Sequence, residues 1–187
     1  MTERTLYLIR HAQSQQTALP IETWPLSDVG RRQAQRLAEL PFWQDVQIIC
    51  TSVEPKAIQT AQIVAAQHEL PIEPVFDLRE LRRPGDLVGD YETAVRQALE
   101  NPTASVNGWE PAGEAQTRII TAIERLLMLH QDKTLAVVSH GQVLTLYLAY
   151  LTDVQPSLDL WHSIPFASAI QVDPEALQII AHFDIGC

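Results

Sequence analysis

Four short runs of this sequence carry residues able to do chemistry: Arg10-His11, Thr51-Ser52 with Lys56 just beyond, Arg79-Glu80, and Ser139-His140-Gly141. Two histidines, a carboxylate and two or more cations are the set that phosphoryl transfer through a covalent histidine intermediate uses. A neutral imidazole attacks phosphorus with one ring nitrogen while the other donates its proton to a fixed acceptor, and the phosphohistidine splits one hard displacement into two easier ones. Either His11 or His140 suits that role. The negative charge spread over the transferring group asks for donors held in advance, which Arg10 and Lys56 offer. The departing alkoxide needs a proton, and Glu80 can supply it and later deprotonate water. The scheme needs no metal and no cofactor. Taken singly, each residue has an ordinary explanation: a buried histidine satisfying a hydrogen bond, a solvated ion-pair cluster around Glu80, a surface lysine at a helix start.

Placement is what joins them. Residues 5–9 are rich in β-formers; Ser27 offers an N-cap to a helical stripe of Val29, Ala34, Leu37, Ala38 and Leu40 that Pro41 ends. Residues 46–50 read as the next strand, and Pro55 opens a helix to about His68. A third extended run covers 72–78, followed by an irregular stretch from Arg82 to Tyr91, a helix over 92–100, and a Pro- and Gly-containing loop or lid from 101 to 113. A helix over 114–131 precedes the wholly apolar strand 135–138 and a buried helix over 143–151; residues 169–172 and 177–183 look like a terminal hairpin. Alternating strands and helices predict one α/β domain over 1–187 in three layers, a mainly parallel sheet with helices on both faces, and a small cap at about 82–113. In such sheets, sites form at the carboxyl ends of strands, and each chemical run falls there.

Several segments resemble the histidine phosphatase superfamily, the phosphoglycerate mutase-like group. Leu8-Ile9-Arg10-His11-Ala12-Gln13-Ser14 is similar to the strand-end motif that usually reads Arg-His-Gly-Glu-Thr. Pro25-Leu26-Ser27 with Gly30 and Gln33-Ala34 resembles a second block, and Thr51-Ser52 with Lys56-Ala57 and Gln59-Thr60-Ala61 a third. Leu78-Arg79-Glu80 is similar to the acid-bearing segment, Pro111-Ala112-Gly113-Glu114 to a Pro-Gly-Gly-Glu turn, and Val137-Val138-Ser139-His140-Gly141 to the second-histidine motif. The resemblance implies His11 as nucleophile, Arg10 and His140 holding the phosphoryl group, Gly141 lining it, and Glu80 as proton donor. Three positions depart from the pattern. Ala12 stands for a Gly, Thr17 stands where an Asn usually helps bind phosphate, and Lys56 replaces an Arg, a point charge in place of a planar fork. Arg79, Arg82 and Arg83 are the neighbouring cations that would compensate or recognise a second anionic group.

Composition sets the surroundings. A net charge of −10 argues against nucleic acid or an anionic membrane as partner, so a phosphate site must be a local basic pocket. Two cysteines, Cys50 and Cys187, make no disulfide or zinc framework, and the N-terminal run lacks the pattern of a secretory signal; both point to the cytoplasm. The expected function is a metal-independent phosphatase acting on a small phosphorylated metabolite. The alternatives are a degenerate member that binds a phosphorylated ligand or partner without turnover, and a phosphoglycerate mutase-type phosphotransferase, which the short cap disfavours. A serine hydrolase is weaker still, because no Gly-x-Ser-x-Gly elbow occurs.

Overall fold

Side chains alternate along the strands and so sort the apolar residues onto two faces. The computed structural model describes residues 5–84 and 90–186; residues 85–89, within the expected cap, and Cys187 lie outside the described residues. In β1 (Leu6–Arg10), Leu6 and Leu8 enter one core while Tyr7 and Ile9 enter the other; in β4 (Leu135–Ser139), Leu135 and Val137 part from Ala136 and Val138 in the same way. The first core is covered by α3 (Tyr91–Glu100), α4 (Ala112–Leu129) and α5 (Gly141–Leu151), the second by α1 (Asp28–Ala38) and α2 (Pro55–His68). This is the three-layer arrangement expected.

The sheet has six strands in the order β3-β2-β4-β1-β5-β6, with β2 at Ile48–Ser52, β3 at Ile72–Val75, β5 at Ala169–Asp173 and β6 at Gln178–Phe183. The four strands from β3 to β1 run parallel, and β5 and β6 add an antiparallel edge. Arg10 sits opposite Ser139 in the β1–β4 ladder, so the next residue of each strand, His11 and His140, leaves the sheet beside the other. Thr51 of β2 faces Val138, which brings the end of β2 to the same rim.

Several expected boundaries move. The second strand extends to Ser52 rather than ending at Cys50, and the third run stops at Val75, where a single 3-10 turn over Phe76–Leu78 redirects the chain toward Glu80. Val29, expected on the buried stripe of α1, is exposed; Ala34, Leu37 and Ala38 carry that face. A short helix α6 (Leu158–His162), capped by Ser157, was not expected; its five residues are too few to show a period. Within the segment expected as a cap, α3 buries Ala94, Val95, Ala98 and Leu99 in the same core as α4 and α5.

Candidate active site

The carbonyl of Ala12 accepts a hydrogen bond from His11 Nδ1 at 2.7 Å. A carbonyl can only accept, so the proton is on Nδ1 and Nε2 keeps its lone pair. The acceptor is itself pinned: Ala12 N–H donates to Thr60 Oγ1 at 3.1 Å, and that hydroxyl donates to the Lys56 carbonyl in the first turn of α2. Ala12 is not among the positive-φ residues, so the Cβ at this position costs nothing in backbone strain. His11 is buried, and its ring lies edge-on to His140 with centroids 5.0 Å apart. Burial first, then His140, Lys56 and Arg10, hold the His11 pKa well below the ordinary histidine value, so the ring is neutral. The same holds for His140, through burial and then Lys56, Arg83 and Arg10. His140 Nε2 faces Ser52 Oγ at 2.8 Å, while Nδ1 has no partner among the described residues.

Arg10 is fixed on three sides. One terminal nitrogen donates to the Ile164 carbonyl, the guanidinium lies over the Phe166 ring at 4.2 Å, and it crosses the backbone at Gly141. A Cβ on Gly141 would come within 3.0 Å of Arg10 Cζ and 2.7 Å of Trp161 Nε1, so this glycine is what lets the cation approach. Phe166 also packs on His11, at 5.5 Å between ring centroids.

Among the described residues, the Glu80 side chain is held by main chain. Its Oε1 accepts from the N–H groups of Leu81 and Val143, and Oε2 accepts from Gln142 at 3.2 Å, which places the carboxylate over the first turn of α5. Its own backbone is braced by Arg118 of α4, which donates to the carbonyls of Asp77, Arg79 and Glu80 and pairs with Glu110 through Nε and a terminal nitrogen. Lys56, 3% exposed, donates to the Ile21 carbonyl at 2.9 Å and to Glu54 Oε2 at 2.5 Å.

A cavity of about 520 Å³ opens over these groups, lined by Arg10, His11, Lys56, Glu80, Arg83 and Gly141 and walled by Trp24, Tyr91, Trp161 and Phe166. His140 is not part of that lining; it lies fully buried beside His11. Two expected residues are elsewhere. Thr17 is exposed and does not line the cavity, its Oγ1 accepting from Leu19 N–H; Ser14 and Gln16 face the cavity from that loop instead. Arg79 pairs with Asp77 and stacks on Phe76, outside the cavity. Arg83 does line it, hydrogen-bonded to the Tyr91 hydroxyl. Glu54, Arg118 and the aromatic wall are not singled out by the sequence, whereas Ser52, expected at the end of the second strand, meets His140. Glu54 resembles an ordinary N-cap acid, and the others reach the site from elements far apart in sequence.

Comparison with known proteins agrees with this arrangement. The family described as "Histidine phosphatase superfamily (branch 1)" matches residues 6–179. The adenosylcobalamin/alpha-ribazole phosphatase of Escherichia coli K12 is 29% identical over 174 residues, covering 84% of this chain and 83% of its own. Phosphoglycerate mutase-like protein 4 of Arabidopsis thaliana is 34% identical over 131 residues, 64% of this chain and 56% of its own. Among solved structures, YhfR of Bacillus stearothermophilus superposes with a TM-score of 0.73 at 25% identity, covering 95% of this chain and 94% of that one. A phosphoserine phosphatase from Entamoeba histolytica shares the fold, with a TM-score of 0.75 at 16% identity over 97% of this chain and 98% of its own. A signature running from β1 into β6, on a sheet that brings His11 and His140 together, makes this chain a member of the histidine phosphatase superfamily.

Proposed function

We propose that the protein is a metal-independent phosphomonoesterase that hydrolyses a small phosphorylated metabolite through a phosphohistidine on His11. The observation that carries this reading is the 2.7 Å bond from His11 Nδ1 to the Ala12 carbonyl, which leaves Nε2 as the nucleophilic nitrogen under a cavity lined by cations. Nε2 attacks phosphorus as the P–O bond to the substrate alcohol breaks, and the Nδ1 proton stays on the ring, steadied by Ala12. Glu80 gives the leaving oxygen a proton. Water, deprotonated by Glu80, then attacks the phosphohistidine and returns His11 to its starting state with release of inorganic phosphate. Arg10, Lys56 and His140 meet the non-bridging oxygens, with Arg83 as a further cation at the mouth; Arg10 Nε and His140 Nδ1 are nitrogens without partners among the described residues that phosphate oxygens would satisfy.

Metal independence rests on the donor set. Among the described residues, the one His/Cys/Asp/Glu trio with ligand atoms within 4.8 Å of one another is Cys50, Glu73 and His130, none of which lines the cavity. No helix among the described residues is long and apolar enough to cross a membrane. Our reading of the partner is a free small phosphomonoester in the cytoplasm; the E. coli relative's alpha-ribazole phosphate is one candidate of that size.

One observation favours a second reading, a member that binds phosphate with little turnover: the Lys56 ammonium is already engaged by a carboxylate. Release of phosphate from a generic aryl phosphate in the presence of a chelator separates the two. The phosphatase reading expects release that survives the chelator and disappears in His11→Ala. No release by wild type, with gain in Lys56→Arg, would favour the binding reading, and equal release by wild type and His11→Ala would refute the mechanism.

A further inference from the structure

Glu54 occupies the N-cap position of α2, yet its side chain makes no capping hydrogen bond. An acid at that position ordinarily turns to the free N–H groups of the first turn. Here Pro55 has no N–H to satisfy, and the carboxylate points the other way. Its Oε2 meets Lys56 Nζ at 2.5 Å, its Oε1 accepts the Glu80 N–H at 2.8 Å, and the same Oε1 lies 3.5 Å from His140 Nε2. One carboxylate therefore touches three of the groups that surround the reacting centre. It does so from behind: Glu54 lines a neighbouring cavity of about 340 Å³ and not the one above His11.

Stability gives a poor reason for this arrangement. Both partners are buried, at 7% and 3% exposure, and replacing a buried ion pair by apolar side chains is often neutral or stabilising. Geometry gives a better one. A lysine ammonium is a mobile point charge with three donors, where an arginine would bring a rigid fork. Glu54 and the Ile21 carbonyl take two of those donors, so the third has one direction left.

We infer that Glu54 is a positioning residue of the active site, whose carboxylate fixes Lys56 as a phosphate clamp and ties it to the Glu80 backbone. This rests on the phosphatase reading for its kinetic arm but not for its binding arm. Glu54 touches no substrate and acts through Lys56, so the two residues are coupled. With Lys56 removed, the buried carboxylate is left unopposed beside the phosphate site and repels the ligand; removing both charges relieves that repulsion.

The test uses the full chain, wild type, Glu54→Gln, Lys56→Met and the double variant, with two readouts: calorimetric binding of inorganic phosphate, and kcat and KM on an aryl phosphate. Lys56→Met is expected to weaken phosphate binding about tenfold or more, and adding Glu54→Gln to recover at least about threefold of that loss. Glu54→Gln alone is expected to keep phosphate affinity while kcat falls about tenfold or more, a split that a general loss of folding does not produce. A double variant that binds phosphate more weakly than Lys56→Met overturns the inference, as does an unchanged kcat in Glu54→Gln. If wild type turns nothing over, the binding arm alone decides, and the failure belongs to the phosphatase reading. If Glu54→Gln does not fold, Glu54→Asp replaces it: lower kcat with phosphate affinity kept supports the inference, and unchanged kcat overturns it.

Discussion

His11 and Gly141 show how little freedom the reacting groups have. The His11 ring is held by a single main-chain acceptor, and a methyl group on Gly141 would stand 3.0 Å from the Arg10 guanidinium carbon and 2.7 Å from Trp161 Nε1. Gly141→Ala is therefore expected to lower kcat/KM about tenfold to a hundredfold by displacing Arg10, because a misplaced clamp costs transition-state binding. The atoms it meets are side-chain atoms, which can shift, and the glycine heads α5, so melting should change little. Steady-state kinetics beside a thermal melt checks this; a large loss of stability with kcat/KM intact would assign Gly141 to packing alone. Thr60 offers a companion test. Thr60→Val removes the hydroxyl that pins Ala12 N–H, and kcat should fall about tenfold or more as the His11 ring loses its fixed acceptor.

At the scale of elements, the site depends on two docking contacts. Gly30 of α1 packs on the loop that follows β1: a Cβ there would stand 2.0 Å from the Gln13 carbonyl oxygen, a main-chain atom that cannot swing aside. Gly30→Ala should destabilise the fold by about 1–3 kcal/mol through overpacking and lower activity by shifting the loop after His11, measurable as a drop in denaturant midpoint. Arg118 on α4 ties down the segment carrying Glu80. These contacts also mark the limit of what the sequence tells. Arg10, His11, Lys56, Glu80 and Gly141 line one cavity, and the sequence hints at this because strand ends converge in an α/β sheet and each lies at or beyond one. Thr17 and Arg79 were misplaced because strand-end position does not say where a side chain turns: one is claimed by its own turn, the other by Asp77 and Phe76. The contacts of Arg118 and Glu54 with the Glu80 segment span 38–41 and 26 residues, beyond any local pattern.

For the whole molecule, a chain of net charge −10 gathers Arg10, Lys56 and Arg83 around one recess, with two neutral histidines packed side by side at its floor. Both histidines have folded pKa values below the ordinary value of 6.5, so the unfolded chain binds more protons once the pH drops below that value. Stability should accordingly be full above about pH 6.5 and fall as the pH is lowered, each ring adding a slope of about 1.4 kcal/mol per pH unit until its folded value is reached. Melts between pH 8 and pH 5.5 check this: His140→Asn should flatten the fall, and a stability that rises on acidification would contradict it.

The central claim is a covalent bond to one nitrogen of one residue. The most direct measurement is to mix the protein with an aryl phosphate in a chelator, stop the reaction under alkaline conditions that preserve phosphohistidine, and locate the adduct by peptide mass spectrometry. An acid-labile phosphoryl group on His11, absent from His11→Ala, is the expected result. Steady phosphate release with no adduct on His11, or an adduct on His140 instead, would contradict it.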